Sequence, residues 1–164
     1  MKQIVRFLID GPERLSSPLA WLGPLAARIV VGWVFLWSGW EKLHNLPRMI
    51  ENFTEWGIPF PHLLTPFASG AEFVGGILLL VGLFTRIAGP ALVIVMIVAI
   101  VSAKLDQIDS LETFLGFEEV SYMAVFGWLS IAGPGKVSLD YLLQRLTGSR
   151  STHAPNAALV TRTA

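Results

Sequence analysis

Four apolar blocks constrain this chain more than any other feature. They run at about Leu22–Lys42, Thr65–Phe84, Ile87–Ala103 and Glu118–Ala132. A membrane-spanning helix needs roughly 20 mostly apolar residues, within a range of about 17–25. The first three blocks meet that requirement. The fourth is short and needs tilt or its neighbours to span. The blocks are continuous rather than alternating, which argues against barrel strands. Only 15% of the 164 residues are charged, against about a quarter in a typical soluble domain. The expected fold is all-α: a polytopic membrane four-helix bundle with short interfacial helices. It forms one domain over residues 1–150, followed by a disordered tail over 151–164 that shows no periodicity.

The N-terminal "IVRFLI" is too short for the core of a secretory signal, and Asp10, Glu13 and Arg14 follow it. The first span is therefore expected to be retained. Loop charges then set the orientation. One side carries Lys2, Arg6, Arg14, Arg86, Lys136, Arg145, Arg150 and Arg162; the other carries only Lys42, Arg48 and Lys104. The positive-inside bias puts both termini in the cytoplasm. The outer side is then acidic, with Glu41, Glu51, Glu55, Asp106, Asp109, Glu112, Glu118 and Glu119.

The connections are also readable. Thr85 and Arg86 mark a tight turn between the second and third spans. After Pro47, residues Met49, Ile50, Phe53 and Trp56 recur at helical spacing until Gly57, Pro59 and Pro61 end the pattern. This predicts an amphipathic helix on the outer surface. "SLDYLLQRL" predicts a second one on the inner surface, with Ser138 as its N-cap.

Within the first span, Trp33, Trp37 and Trp40 share one side, and Arg28, Gly32, Phe35, Gly39 and Lys42 share the roughly opposite one. Small residues let helices approach closely in lipid, so the glycine and charge side should face the bundle. The tryptophan side should face lipid, or else offer Trp37 and Trp40 as a stacking surface for a quinone ring. The second span repeats the device, with Thr65, Ala68, Ser69, Glu72, Gly75 and Gly76 on one side. Glu72 lies about 10 Å below the outer boundary at 1.5 Å per residue. It cannot sit there ionised and alone, so it is protonated or paired. Arg28 lies about 9 Å above the inner boundary and is separated from Glu72 by roughly 10 Å along the axis, so the two could meet only by reaching towards each other. Lys42 and Lys104 start near the outer end and either reach inward to Glu72 or extend to their own interface.

The sequence excludes much other chemistry. A net charge of zero gives no footprint for nucleic acid. The absence of cysteine removes disulfides, thiolate nucleophiles and cysteine-ligated clusters from this chain. His44 and His62 share the outer loop, but with His153 they make no recognised metal motif. There is no phosphate loop or serine-nucleophile motif.

Taken together, these stretches resemble the DoxX family. "ARIVVGWVFLWSGWEKL" is similar to its opening motif, "GAEFVGGILLLVGLFTRIAGPAL" to its second and "GPGKVSLDYLL" to its closing segment, in order over roughly residues 20–145. The resemblance implies a four-helix protein of the bacterial inner membrane in a redox setting, beside thiosulfate:quinone oxidoreductase and complexes for oxidative and thiol stress. It carries over no agreed catalytic residues.

The leading expectation is a membrane subunit of a redox complex. Its reactive residues would be Glu72, Lys42 and Arg28, with Trp37, Trp40 and Lys104 as candidates for substrate or cofactor contact and Gly32, Gly39, Gly75 and Gly76 as the packing surface. Its cofactor would be a non-covalent quinone. Its partners would be the lipid bilayer and a redox protein, with a homo-oligomer left open. The rivals are an assembly anchor without chemistry of its own and a small transporter. The transporter would need a polar path, and the third span is apolar until Ser102 and Lys104.

Overall fold

A computed structural model describes residues 17–148. The expected tail at 151–164 lies outside them, as do Lys2, Arg6, Arg14, Arg150 and Arg162. The described chain is helical: α1 Leu22–His44, α2 Leu46–Glu55, α3 Pro61–Val81, α4 Thr85–Ala99, α5 Leu111–Gly116, α6 Glu118–Ala132 and α7 Leu139–Leu146. A π turn over Ile100–Lys104 and a 3-10 turn over Leu105–Gln107 prolong α4. Among the described residues, three helices are long and apolar enough to cross a membrane: Leu22–His44, Pro61–Val81 and Thr85–Gln107. At 1.5 Å per residue the longer two reach about 34 Å, more than the roughly 30 Å of hydrocarbon. The 15-residue α6 is shorter than that and packs along α4 and α1.

Glycines set how closely the helices approach. A Cβ on Gly39 would lie 2.7 Å from Phe73 Cα, and one on Gly76 would lie 2.8 Å from the Gly32 carbonyl oxygen. Here α1 and α3 meet backbone to backbone, as the small-residue faces predict. Gly75 points the other way, towards the Leu92 side chain of α4. Between these contacts lies a core of Val31, Phe35, Leu79, Leu92, Phe126 and Leu129. Phe35 meets the edge of Phe126 with ring centroids 4.8 Å apart and that of Tyr122 at 5.2 Å. These are favoured aromatic arrangements, and they tie α1 to α6.

The second span starts and ends earlier than its apolar block. Pro61 opens α3 at a first-turn position. Gly82, at φ +68°, ends it. The chain then turns through Phe84, also at positive φ, and enters α4 at Thr85. Asp140 of α7 makes that turn possible. Its carboxylate accepts from the Phe84 N–H at 2.9 Å and the Thr85 N–H at 3.3 Å, and its own N–H donates to Gly82 O at 3.0 Å. A helix start is thus capped from 55 residues downstream. Ser138 caps α7 as expected, accepting from the Tyr141 N–H at 3.1 Å.

The predicted amphipathic helix is α2, which the sequence pattern places after Pro47. The sequence reading did not foresee α5, which starts at Ser110. There Ser110 Oγ accepts from the Thr113 N–H at 3.1 Å, and Thr113 Oγ1 donates to Asp109. That hydrogen bond holds the exposed Asp109 carboxyl below the ordinary aspartate range.

Candidate functional site: two ion pairs on one apolar cavity

Glu72 is 4% exposed and Lys42 lies across from it on α1. The Lys42 Nζ donates to both carboxylate oxygens, at 2.7 Å and 2.6 Å, and Ser38 Oγ donates to Oε2 at 2.9 Å. The local sequence explains the meeting. Gly39 lets the backbone of Phe73 come against α1, so the neighbouring Glu72 falls between Ser38 and Lys42, one helical turn apart. A buried carboxylate costs several kcal/mol unless it is paired and hydrogen-bonded, and Glu72 has both.

A second pair stands nearby. Lys104 Nζ contacts the Glu119 carboxylate at 2.7 Å and 2.8 Å. The π turn at Ile100–Lys104 ends on Lys104, which also lies 5.1 Å from the Phe117 ring centroid. Single π turns are rare in helices and recur at functional sites. Lys104 does not reach Glu72; its partner is Glu119.

Both pairs line one cavity of about 350 Å³, within the range of small-molecule sites. Its remaining wall is almost wholly apolar. Phe53, Trp56 and Ile58 come from α2 and the segment after it, Leu64 and Ala68 from α3, and Val95 from α4. Phe67 and Ile94, exposed at 72% and 62%, also line it, which places its mouth on the lateral surface between α3 and α4. An apolar chamber with a few convergent charged groups suits a flat apolar ligand with polar edges. The ammonium groups can donate to carbonyl oxygens and the carboxylates can accept from hydroxyls.

Arg28 is not part of this site. It is 1% exposed at the opposite end of the bundle, where Nη2 donates to the Val137 carbonyl. A Cβ on Gly82 would come 2.8 Å from Arg28 Cζ and 2.6 Å from Ser138 Cβ. The guanidinium therefore fills its space and ties the segment before α7 to α1. The glycine face grouped Arg28 with Lys42 correctly in direction, but the helix length separates them.

Trp37 and Trp40 are also outside the site, exposed at 57% and 45%, and Trp40 packs against Phe73 of α3 with ring centroids 5.7 Å apart. The tryptophan that lines the cavity is Trp56. Gly32, Gly39, Gly75 and Gly76 are buried where helices meet.

Glu119 went unnoticed because Glu118-Glu119 precedes an apolar block and reads as surface. The missed signal was helical spacing. Glu119, Tyr122, Phe126 and Leu129 lie three, four and three residues apart on the face that α6 buries.

Comparison with known proteins places this architecture. Residues 23–105 match the family model described as DoxX. The chain is 32% identical over 133 residues to "Uncharacterized membrane protein Rv3486" of Mycobacterium tuberculosis, covering 74% of this chain and 81% of the relative. It is 28% identical over 114 residues to "Putative oxidoreductase CatD" of Bacillus subtilis, covering 70% and 80%. It is 29% identical over 124 residues to "Inner membrane protein YphA" of Escherichia coli, covering 71% and 86%. No solved structure matches. The chain is a membrane protein and belongs to the DoxX family.

Proposed function

We propose that this protein is a quinone-binding subunit of a redox complex in the bacterial inner membrane, with Lys42 and Glu72 at the headgroup. The cavity shared by the two ion pairs carries this reading. Lys42 would orient a quinone carbonyl and Glu72 would exchange a proton with the corresponding hydroxyl. Lys104 and Glu119 would meet the far side of the ring. Reduction of a quinone takes two electrons and two protons. The electrons come from a partner oxidoreductase; without cysteine this chain has no thiol with which to handle a sulfur substrate covalently. The word oxidoreductase in the name of the Bacillus subtilis relative supports the setting. The orientation that goes with this reading has both termini in the cytoplasm and the cavity near the outer face.

The test is purification in mild detergent followed by organic extraction. The unsubstituted protein should carry lipid-soluble quinone, and well-folded Lys42→Met and Glu72→Gln variants should lose it. An extract free of quinone, with a stoichiometric protein partner, would instead favour the structural anchor. Arg28 supports that second reading, since a buried guanidinium that only ties α1 to the segment before α7 serves assembly.

A further inference from the structure

The Lys42–Glu72 pair has a second neighbour besides the apolar cavity. A polar groove of about 340 Å³ lies between the end of α1 and α2, bounded by Ser38, Glu41, Lys42, Asn45, Arg48 and Asn52. Lys42 belongs to both spaces. Ser38, which lines the groove, donates to Glu72, which lines the cavity. The side chain of Lys42 is 34% exposed, whereas that of Glu72 is 5% exposed.

We propose that the polar groove is an aqueous entrance to the Lys42–Glu72 pair, which makes the pair a proton exchanger between water and the occupant of the apolar cavity. The charged groups around the pair fit this task. Glu41 and Arg48 face it from the groove, and Lys104 and Glu119 face it across the cavity. Groove water passes a proton to the Glu72 carboxylate. The neutral carboxyl loosens its hold on Lys42, whose ammonium turns to the groove. Glu72 then passes the proton to an oxyanion of the reduced occupant of the cavity, and the ion pair reforms. No electron moves and no bond to carbon changes in these steps. The use of the protons rests on the quinone reading, whereas the aqueous entrance does not.

The chain has no cysteine, so single cysteines can be placed without removing any. In nanodiscs, where both membrane faces meet water, Ser38→Cys and Ala68→Cys are treated with a charged methanethiosulfonate and, separately, with uncharged N-ethylmaleimide. Cysteine at 38 should react with both reagents, and cysteine at 68, on the apolar wall, with the uncharged one only. Adding Asn52→Trp should abolish the charged reaction at 38. Failure of the charged reagent at 38 overturns the proposal. A second measurement uses the unsubstituted chain: infrared difference spectra against Lys42→Met in D2O. Prompt N–D exchange of the Lys42 ammonium supports the entrance, and a protected ammonium overturns it. Charged labelling at position 38 without any bound quinone would leave this entrance standing and remove the proposed function.

Discussion

The two ends of the bundle use charge in opposite ways. At one end Arg28 is sealed against a backbone carbonyl, and Gly82 leaves room for nothing more than the guanidinium. At the other end Lys42 and Lys104 each meet a carboxylate, and both pairs face an open space of about 350 Å³. An intramembrane charge is costly anywhere, so each must be compensated. The sealed end compensates its charge only in part, with one hydrogen bond to the Val137 carbonyl, while Arg28 Nε and Nη1 have no protein partner among the described residues. The open end keeps its charges where a ligand can reach them. The difference teaches that intramembrane charge alone does not single out a candidate site; charge beside accessible volume does.

That comparison can be broken first at the sealed end. Gly82→Val forces a β-branched residue to φ +68° and into Arg28 and Ser138. Left-handed strain of about 1–2 kcal/mol and overpacking of about 1–3 kcal/mol should together cost about 2–5 kcal/mol. Thermal unfolding in detergent should show this loss, and a stable Gly82→Val protein would mean the end is not sealed.

The open end should respond unequally to its two partners. Lys42→Met strands a nearly buried carboxylate, which should cost about 3 kcal/mol, the low end for a broken buried pair. Glu72→Gln leaves an ammonium that is already one-third exposed and can extend to water, so about 1 kcal/mol is expected. Denaturation of the two variants side by side checks the order. Equal losses would contradict the difference in exposure.

Glu119→Gln should have a smaller effect, about 0.5–1 kcal/mol, because Lys104 keeps partial solvent access and its contact with the Phe117 ring. It should weaken ligand retention less than Lys42→Met, as quinone extraction would show.

The smallest effect belongs to the surface. The Asp109 carboxyl is held low by Thr113, so its folded-state affinity for protons is below the unfolded one. Its contribution is present above the ordinary aspartate range and is lost as pH falls through the depressed value. Protection factors at the start of α5, with the intrinsic pH dependence of amide exchange divided out, should fall there and nowhere above it.

The helices were legible because lipid demands long apolar runs, and the apolar blocks near 22–42 and 118–132 fall almost on α1 and α6. The meeting of Lys42 and Glu72 was also within reach, since depth along a helix follows from 1.5 Å per residue. Arg28 was misplaced with them because a shared face says nothing of partners. Its partner is a carbonyl 109 residues away, in a segment with no apolar pattern of its own. Lys104 and Glu119 escaped pairing because a π turn shifts the helical register that a 3.6-residue count assumes. The early end of α3 depends on Asp140, which no local pattern connects to Gly82.

The central claim is that the open end binds a quinone headgroup through Lys42 and Glu72. Calorimetric titration of a short-chain quinone into the protein in nanodiscs tests it most directly, with folded Lys42→Met, Glu72→Gln and Arg28→Lys variants alongside. The account predicts saturable binding that Lys42→Met and Glu72→Gln abolish and Arg28→Lys retains. Absence of saturable binding, or binding indifferent to both Lys42→Met and Glu72→Gln, would contradict it.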